Sequence, residues 1–244
     1  MCGIVGYIGK RDATPILLEG LHRLEYRGYD SAGIAVVRDG ALRTAKCKGR
    51  VRDLEQAVPP RFRGSPGIAH TRWATHGEPS DRNAHPHLDT NERIAVIHNG
   101  IIENANALRR RLEGEGVVFR SETDTEVLAH LIAAMPGESL LECVRAALRL
   151  VTGTWGLAVL DADRPDTIVV AQRERDQHLL RRRRQRPMPH GAQDAAPALA
   201  EGPVYRRAFR GNFWLGHGIT TDRLSYDTIK FRYKQLLPAK ADRR

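Results

Sequence analysis

Cysteine at position 2, directly behind the initiator methionine in Met1-Cys2-Gly3-Ile4-Val5-Gly6, joins two chemistries on one residue. Removal of Met1 would leave a thiol and a free α-amine together. An α-amine has a reference pKa of about 8, so near neutral pH part of it is free base and can take the thiol proton directly or through a water. The competing reading is packing, because Cys2 also opens an apolar strand over residues 3–8 and free cysteines are commonly buried.

Other polar groups gather in short runs. In His70-Thr71-Arg72-Trp73-Ala74-Thr75-His76-Gly77, Arg, Trp, Thr and His follow the apolar end of a strand, where a rigid scaffold can position a loop. An arginine there can clamp a carboxylate through two parallel hydrogen bonds, which lysine cannot imitate; a plain surface strand end is the alternative. His98-Asn99-Gly100 also has two readings. Asn-Gly is the strongest short hairpin signal, and the same pair can aim a side-chain amide and a backbone N–H at a developing oxyanion. Ser121-Glu122-Thr123-Asp124 reads as a capping box before Val127, Leu128 and Leu131, or as a carboxylate at a helix start that holds an ammonium. Arg27-Gly28, within Tyr26-Arg27-Gly28-Tyr29-Asp30-Ser31-Ala32-Gly33, follows a helical pattern that Gly28 could simply terminate. His85 and His87 lack a third ligand at a recognised spacing, so no metal is expected. Cys47 and Cys143 have no activating polar neighbours in sequence and read as structural.

The elements that must position these groups come in clean order. Residues 3–8 alternate as a strand; Thr14 and Pro15 offer a cap and a first-turn proline to a helix with Ile16, Leu17, Leu18, Leu21 and Leu24 on one face. Strands over 32–37 and 41–45 straddle the turn pair Asp39-Gly40. Residues 67–71 and 94–98 read as strands, the second running into Asn99-Gly100. Helices follow over 105–112, 124–134 and 140–151, and strands over 154–160 and 167–171. Hairpin-grouped strands with helices in separate blocks indicate antiparallel sheets layered with helices, an α+β arrangement.

The chain has 244 residues, three cysteines and a net charge of +10. An odd cysteine count without paired spacing, and no charged-then-apolar leader before Cys2, point to a reduced, cytoplasmic protein without a disulfide framework. No uncharged apolar run reaches the roughly 18 residues of a membrane span. The charge is uneven: residues 1–172 hold 22 Lys+Arg and 22 Asp+Glu, leaving 17 of the 39 bases and 7 of the 29 acids behind position 172. There the chain turns Arg-rich (RERDQHLLRRRRQR), then Pro- and Ala-rich, which sets a boundary at about 172. The basic run, with Phe209, Phe213 and Trp214, offers a nucleic-acid-binding reading for residues 173–244, but no recognised nucleic-acid motif supports it.

Taken together, the runs at 1–6, 26–33, 70–77, 98–100 and 121–124 closely resemble class II glutamine amidotransferases, and specifically the glutaminase domain of the glutamine:fructose-6-phosphate aminotransferase (isomerizing) family, the glucosamine-6-phosphate synthases. Tyr26-Arg27-Gly28-Tyr29-Asp30-Ser31 is the discriminating piece. The resemblance implies a four-layer αββα sandwich of the N-terminal nucleophile hydrolase type, incomplete after about residue 172. It implies Cys2 as nucleophile with its α-amine as base, and Asn99 with the Gly100 N–H as oxyanion donors. Arg72 would hold the glutamine α-carboxylate and Asp124 its α-ammonium, with Trp73, Thr75 and His76 lining the pocket and Arg27 and Gly28 bordering the nucleophile. Glutamine would be hydrolysed to glutamate and ammonia through a γ-glutamyl thioester, without a cofactor or metal. The isomerase domains that would consume the ammonia in that family are not in this sequence, so a homo-oligomer or a separate isomerase partner is a matter of expectation. The resemblance stops at Ala171-Gln172. A reading-frame shift in the gene would produce so abrupt a change, and an inactive remnant is the alternative to a working glutaminase.

Overall fold

The computed structural model describes residues 2–27, 29–74, 77–173, 204–208 and 211–216. Two five-stranded antiparallel sheets form the centre. The first has the order β10-β1-β4-β2-β3 and the second β5-β6-β7-β8-β9. In the first sheet β1 (Gly3–Ile8) lies between β4 (Gly67–Arg72) and β10 (Gly211–Gly216), and β2 (Ser31–Arg38) joins β4 to β3 (Ala41–Lys48). In the second, β6 (Ile94–Ile102) pairs β5 (His87–Leu88) and β7 (Gly153–Asp161), then β8 (Ile168–Arg173) and β9 (Val204–Ala208) follow.

Period-2 alternation puts each strand's side chains on two faces and so builds three apolar layers. Ile4, Val37, Ile68, Ile97 and Leu160 meet between the sheets. Val5, Ile34 and Ala69 face outward onto Leu17 and Leu21 of α1 (Ala13–Leu24) and Leu54 of α2 (Val51–Ala57). On the other side Val96, Leu157 and Val159 pack on Leu128 and Leu131 of α4 (Asp124–Ala134) and Val144 of α5 (Leu140–Leu148), with Leu108 and Leu112 of α3 (Ala105–Gly114) at the margin. Each fully buried Leu or Ile here contributes about 1.5–3 kcal/mol. The α+β layering expected from the element order is the one observed.

Local readings shift in several places. Asp12, not Thr14, caps α1: its Oδ1 accepts from the Thr14 and Gly64 N–H groups at 3.1 and 3.2 Å, while Thr14 Oγ1 donates to the Phe62 carbonyl. Pro15 still falls in the first turn, where its missing N–H has no partner to lose. Thr123, not Ser121, caps α4. Asn99-Gly100 forms no hairpin. β6 runs through both residues with Asn99 opposite Gly156 and Gly100 opposite Trp155, because its partner is the distant β7 rather than the next segment of chain. The turn pair Asp39-Gly40 does close its hairpin, with φ of 53° and 74°. α2 gave no clear helical pattern in sequence, since only Val51 and Leu54 are buried. α5 ends at Leu148, three residues short of its expected end. Two stretches behind position 172 pair with the sheets: 204–208 with β8 and 211–216 with β1. Among the described residues no helix is long and apolar enough to cross a membrane.

Candidate active site

Cys2 sits at the mouth of the first sheet, one residue before β1, and β4 holds it. The Gly3 N–H donates to Thr71 Oγ1 at 3.0 Å, and Gly3 lies opposite Thr71 in the β1–β4 ladder. The Trp73 N–H donates to Cys2 Sγ at 3.1 Å, and the thiol in turn lies 3.7 Å from the Trp73 carbonyl. Burial pushes the Cys2 thiol above its ordinary value, against the Trp73 N–H, which favours the thiolate. A thiol so placed stays protonated near neutrality and needs a base to become a nucleophile.

The second sheet supplies the facing groups. Since Ile97 points into the space between the sheets, so does Asn99, two residues on. Asn99 Nδ2 donates to the Cys2 carbonyl at 3.3 Å, and its Oδ1 meets His70 Nε2 at 2.8 Å. Gly100 has φ +135°, and a Cβ there would lie 2.1 Å from the Thr154 carbonyl oxygen, so only glycine fits this bend. Asp124, the first residue of α4, accepts from the Ile102 N–H at 2.9 Å and thereby ties the helix start to the end of β6.

Arg72 is buried at 4% exposure and donates from Nη2 to the Gly77 carbonyl at 3.1 Å. Burial draws its pKa below the usual guanidinium value, opposed by the charges of Asp30, Cys2 and Asp124, which places all four groups in one neighbourhood. Asp30 stabilises the loop beside the thiol. Its carboxylate accepts from Ser31 Oγ at 2.9 Å and from the Ala74 N–H, and its own N–H donates to the Arg72 carbonyl at 2.8 Å. The 26–33 and 70–77 runs are therefore one construction. Trp73, 55% exposed, shares a cleft of about 520 Å³ with Glu25, Tyr26, Tyr29, Gly49 and Arg50. A second cleft of about 590 Å³, on the outer side of α1 between Asp12, His22 and Arg63, contains none of these groups.

Of the expected site residues, Cys2, Arg72, Trp73, Asn99, Gly100 and Asp124 thus come together from two sheets and a helix. Arg27 ends a 3-10 turn over Glu25–Arg27. Gly28, Thr75 and His76 lie outside the described residues, as does the side chain of Arg27. Asp30 and His70 were inside the motifs but unassigned, because sequence shows which residues are polar and not which of them touch. His85 and His87 are buried beneath the site. His87 Nε2 meets Thr123 Oγ1 at 3.0 Å, His85 Nδ1 accepts from the His98 N–H at 3.4 Å, and burial holds both well below the ordinary histidine range. Among the described residues no three His, Cys, Asp or Glu are grouped to hold a metal. Cys47 and Cys143 are buried free thiols, and burial pushes Cys47 up to about 11.

Residues 70–178 match a family described as the glutamine amidotransferase domain. The chain is 56% identical over 173 residues to a glutamine--fructose-6-phosphate aminotransferase [isomerizing] of Symbiobacterium thermophilum, covering 70% of this chain and 28% of that protein. It is 54% identical over 175 residues to a protein of the same name from Clostridium tetani, covering 71% and 29%. The matched stretch is therefore less than a third of those relatives. Among solved structures, the glutamine phosphoribosylpyrophosphate amidotransferase from B. subtilis aligns at TM-score 0.58 and 30% identity, over 70% of this chain and 37% of that one. A structure described as the allosteric regulatory enzyme of purine biosynthesis aligns at TM-score 0.60, with the same identity and coverage.

Proposed function

We propose that this chain, which carries the glutamine amidotransferase domain of the glutamine--fructose-6-phosphate aminotransferases, hydrolyses the side-chain amide of glutamine with Cys2 as nucleophile. The observation that supports this most is the meeting of the two sheets at one residue. Trp73 N–H holds the Cys2 sulfur while the Asn99 amide reaches the Cys2 carbonyl. With Met1 removed, the α-amine takes the thiol proton, Sγ attacks the amide carbon, and charge develops on the carbonyl oxygen against the Asn99 amide and the Gly100 N–H. As the C–N bond breaks, the proton passes to the departing nitrogen, which leaves as ammonia. Water then cleaves the γ-glutamyl thioester to glutamate and regenerates the thiol. Arg72 takes the substrate α-carboxylate and Asp124 its α-ammonium; Trp73, Thr75 and His76 line the pocket, and Arg27 and Gly28 border the thiol. The layering is that of an N-terminal nucleophile hydrolase.

In the relatives' reaction the ammonia would go to fructose 6-phosphate, giving glucosamine 6-phosphate. For this chain we propose the ammonia-supplying half, with residues 1–172 as the glutaminase and residues 173–244 as a basic segment whose stretches 204–208 and 211–216 pair with its sheets. An isomerase partner would take the product. The test is direct: glutamate release from glutamine by the mature chain, with intact mass to establish the loss of Met1. Cys2→Ala should abolish release while leaving the unfolding transition in place, and chain that retains Met1 should be inactive, since its basic amine has become an amide. Hydrolysis at the normal rate with Met1 attached would defeat the mechanism.

A further inference from the structure

We propose that His70 is a positioning residue that locks the orientation of the Asn99 amide, so that its N–H₂ end faces the nucleophile. The inference rests on the glutaminase reading and deepens it by naming what prepares the oxyanion donor. The logic starts at Cys2. Its carbonyl can only accept, so the Asn99 atom 3.3 Å away is the amide nitrogen. The other end of the amide is then Oδ1, which needs a donor, and the group 2.8 Å from it is His70 Nε2. His70 must therefore carry its proton on Nε2. The opposite tautomer would present a lone pair at Nε2 and favour the flipped amide, with an oxygen aimed at the place where negative charge develops.

Two features keep the ring in this role. His70 is completely buried between the sheets, and burial, with the His98 and Arg72 charges, draws its pKa down to about 3, so it stays a neutral single-proton donor at ordinary pH. Its ring centroid lies 4.3 Å from that of His85, the two planes tilted by 34°, and His85 is in turn edge-on to His87 at 4.9 Å. His85 can approach because Gly33 has no side chain: a Cβ at that position would lie 2.1 Å from the His85 carbonyl oxygen. With His85 against its ring and Nε2 bonded to the amide oxygen, the imidazole is held facing Asn99.

The experiment pairs kinetics with a direct reading of the tautomer. His70→Phe fills the space without a donor and should lower kcat by about 10–100-fold with KM nearly unchanged, less than the roughly 100–1000-fold expected for losing the Asn99 amide itself. His70→Gln, which returns an N–H near the Nε2 position, should recover most of that loss. In an Asn99→Ala background His70→Phe should add less than about 3-fold, since its partner is gone. Imidazole ¹⁵N spectra of the wild-type chain should show His70 neutral and protonated at Nε2 between pH 5 and 8, a reading independent of activity. His70 protonated at Nδ1 alone would overturn the inference, as would an equal penalty from His70→Phe with and without Asn99. A wild-type chain with the expected tautomer but no glutamine hydrolysis would instead count against the glutaminase reading.

Discussion

Glu126→Gln should destabilise the chain in a pH-dependent way and loosen the loop that leads to Asp124. Glu126 is 2% exposed, and its carboxylate accepts from the Arg120 N–H at 2.7 Å on Oε1, and from the Ser121 N–H and Oγ–H, each at 2.6 Å, on Oε2. His130 Nε2 lies 3.5 Å from Oε1. Burial alone would push this carboxyl up, but the His130, Ser121 and Arg120 contacts outweigh it and hold the group at about 2. Because the folded value lies below the unfolded one, the fold favours the ionised form. Its contribution is complete above about pH 5 and is lost as the pH falls through 4 toward 2. A carboxyl at about 2 in the fold against about 4.3 unfolded is worth on the order of 3 kcal/mol. Glutamine cannot replace it: with donors on both oxygens, its N–H₂ must face one of them and leave a buried N–H unpaired, a penalty of about 1–3 kcal/mol. Urea unfolding of the two proteins should show the variant less stable by about 2–3 kcal/mol at pH 7, with roughly half of that gap gone at pH 3. A gap below about 0.5 kcal/mol at pH 7, or one that does not change with pH, would refute the reasoning. KM for glutamine should rise in the same variant, because residues 120–123 carry the chain to Asp124.

Arg72→Lys should raise KM for glutamine by about 10-fold or more with a smaller loss of kcat, since an ammonium cannot make the two-pronged carboxylate contact; a fall in kcat at unchanged KM would move Arg72 out of substrate binding. Gly100→Ala forces a Cβ to within 2.1 Å of the Thr154 carbonyl at φ +135°, so it should cost about 1–3 kcal/mol of stability and most of kcat; wild-type rates would show that the backbone here has no part in the reaction. Amide exchange should find 204–208 and 211–216 protected like β8 and β1, the strands they pair with. Exchange at unprotected rates in these two stretches, with β8 and β1 slow, would separate them from the sheets in solution.

Sequence revealed those features that repeat with a period or concentrate in a run. The α1 and α4 faces and the β2–β3 hairpin were legible because periodicity and Asp39-Gly40 act locally. Asn99-Gly100 misled on the same basis. The pair favours a turn in isolation, but the chain continues as β6 because β7, more than 50 residues away, supplies the ladder. The caps moved for a related reason: Ser121 is drawn to buried Glu126 and leaves the helix end to Thr123, a competition settled only by tertiary contacts. Motif residues gave the chemistry of the site, but not the Asp30–Ala74 and His70–Asn99 bonds that make separate motifs one structure.

Those bonds explain how a site drawn from distant segments can be ordered. Cys2, Arg72 and Trp73 belong to the first sheet and its loop, Asn99 and Gly100 to the second, and Asp124 to the helix covering the second. The apolar layer of Ile4, Ile68, Ile97 and Leu160 fixes the separation of the sheets but not the orientation of a side chain at its edge. Orientation requires directional contacts. Trp73 holds Cys2 within the first sheet, and two contacts then cross the gap, Cys2 to Asn99 and Asn99 to His70, which returns to the strand that bears Trp73's neighbours. The chain of contacts closes on itself. A shift of either sheet must lengthen at least one member, so the positions of the Cys2 thiol and the Asn99 amide are maintained together.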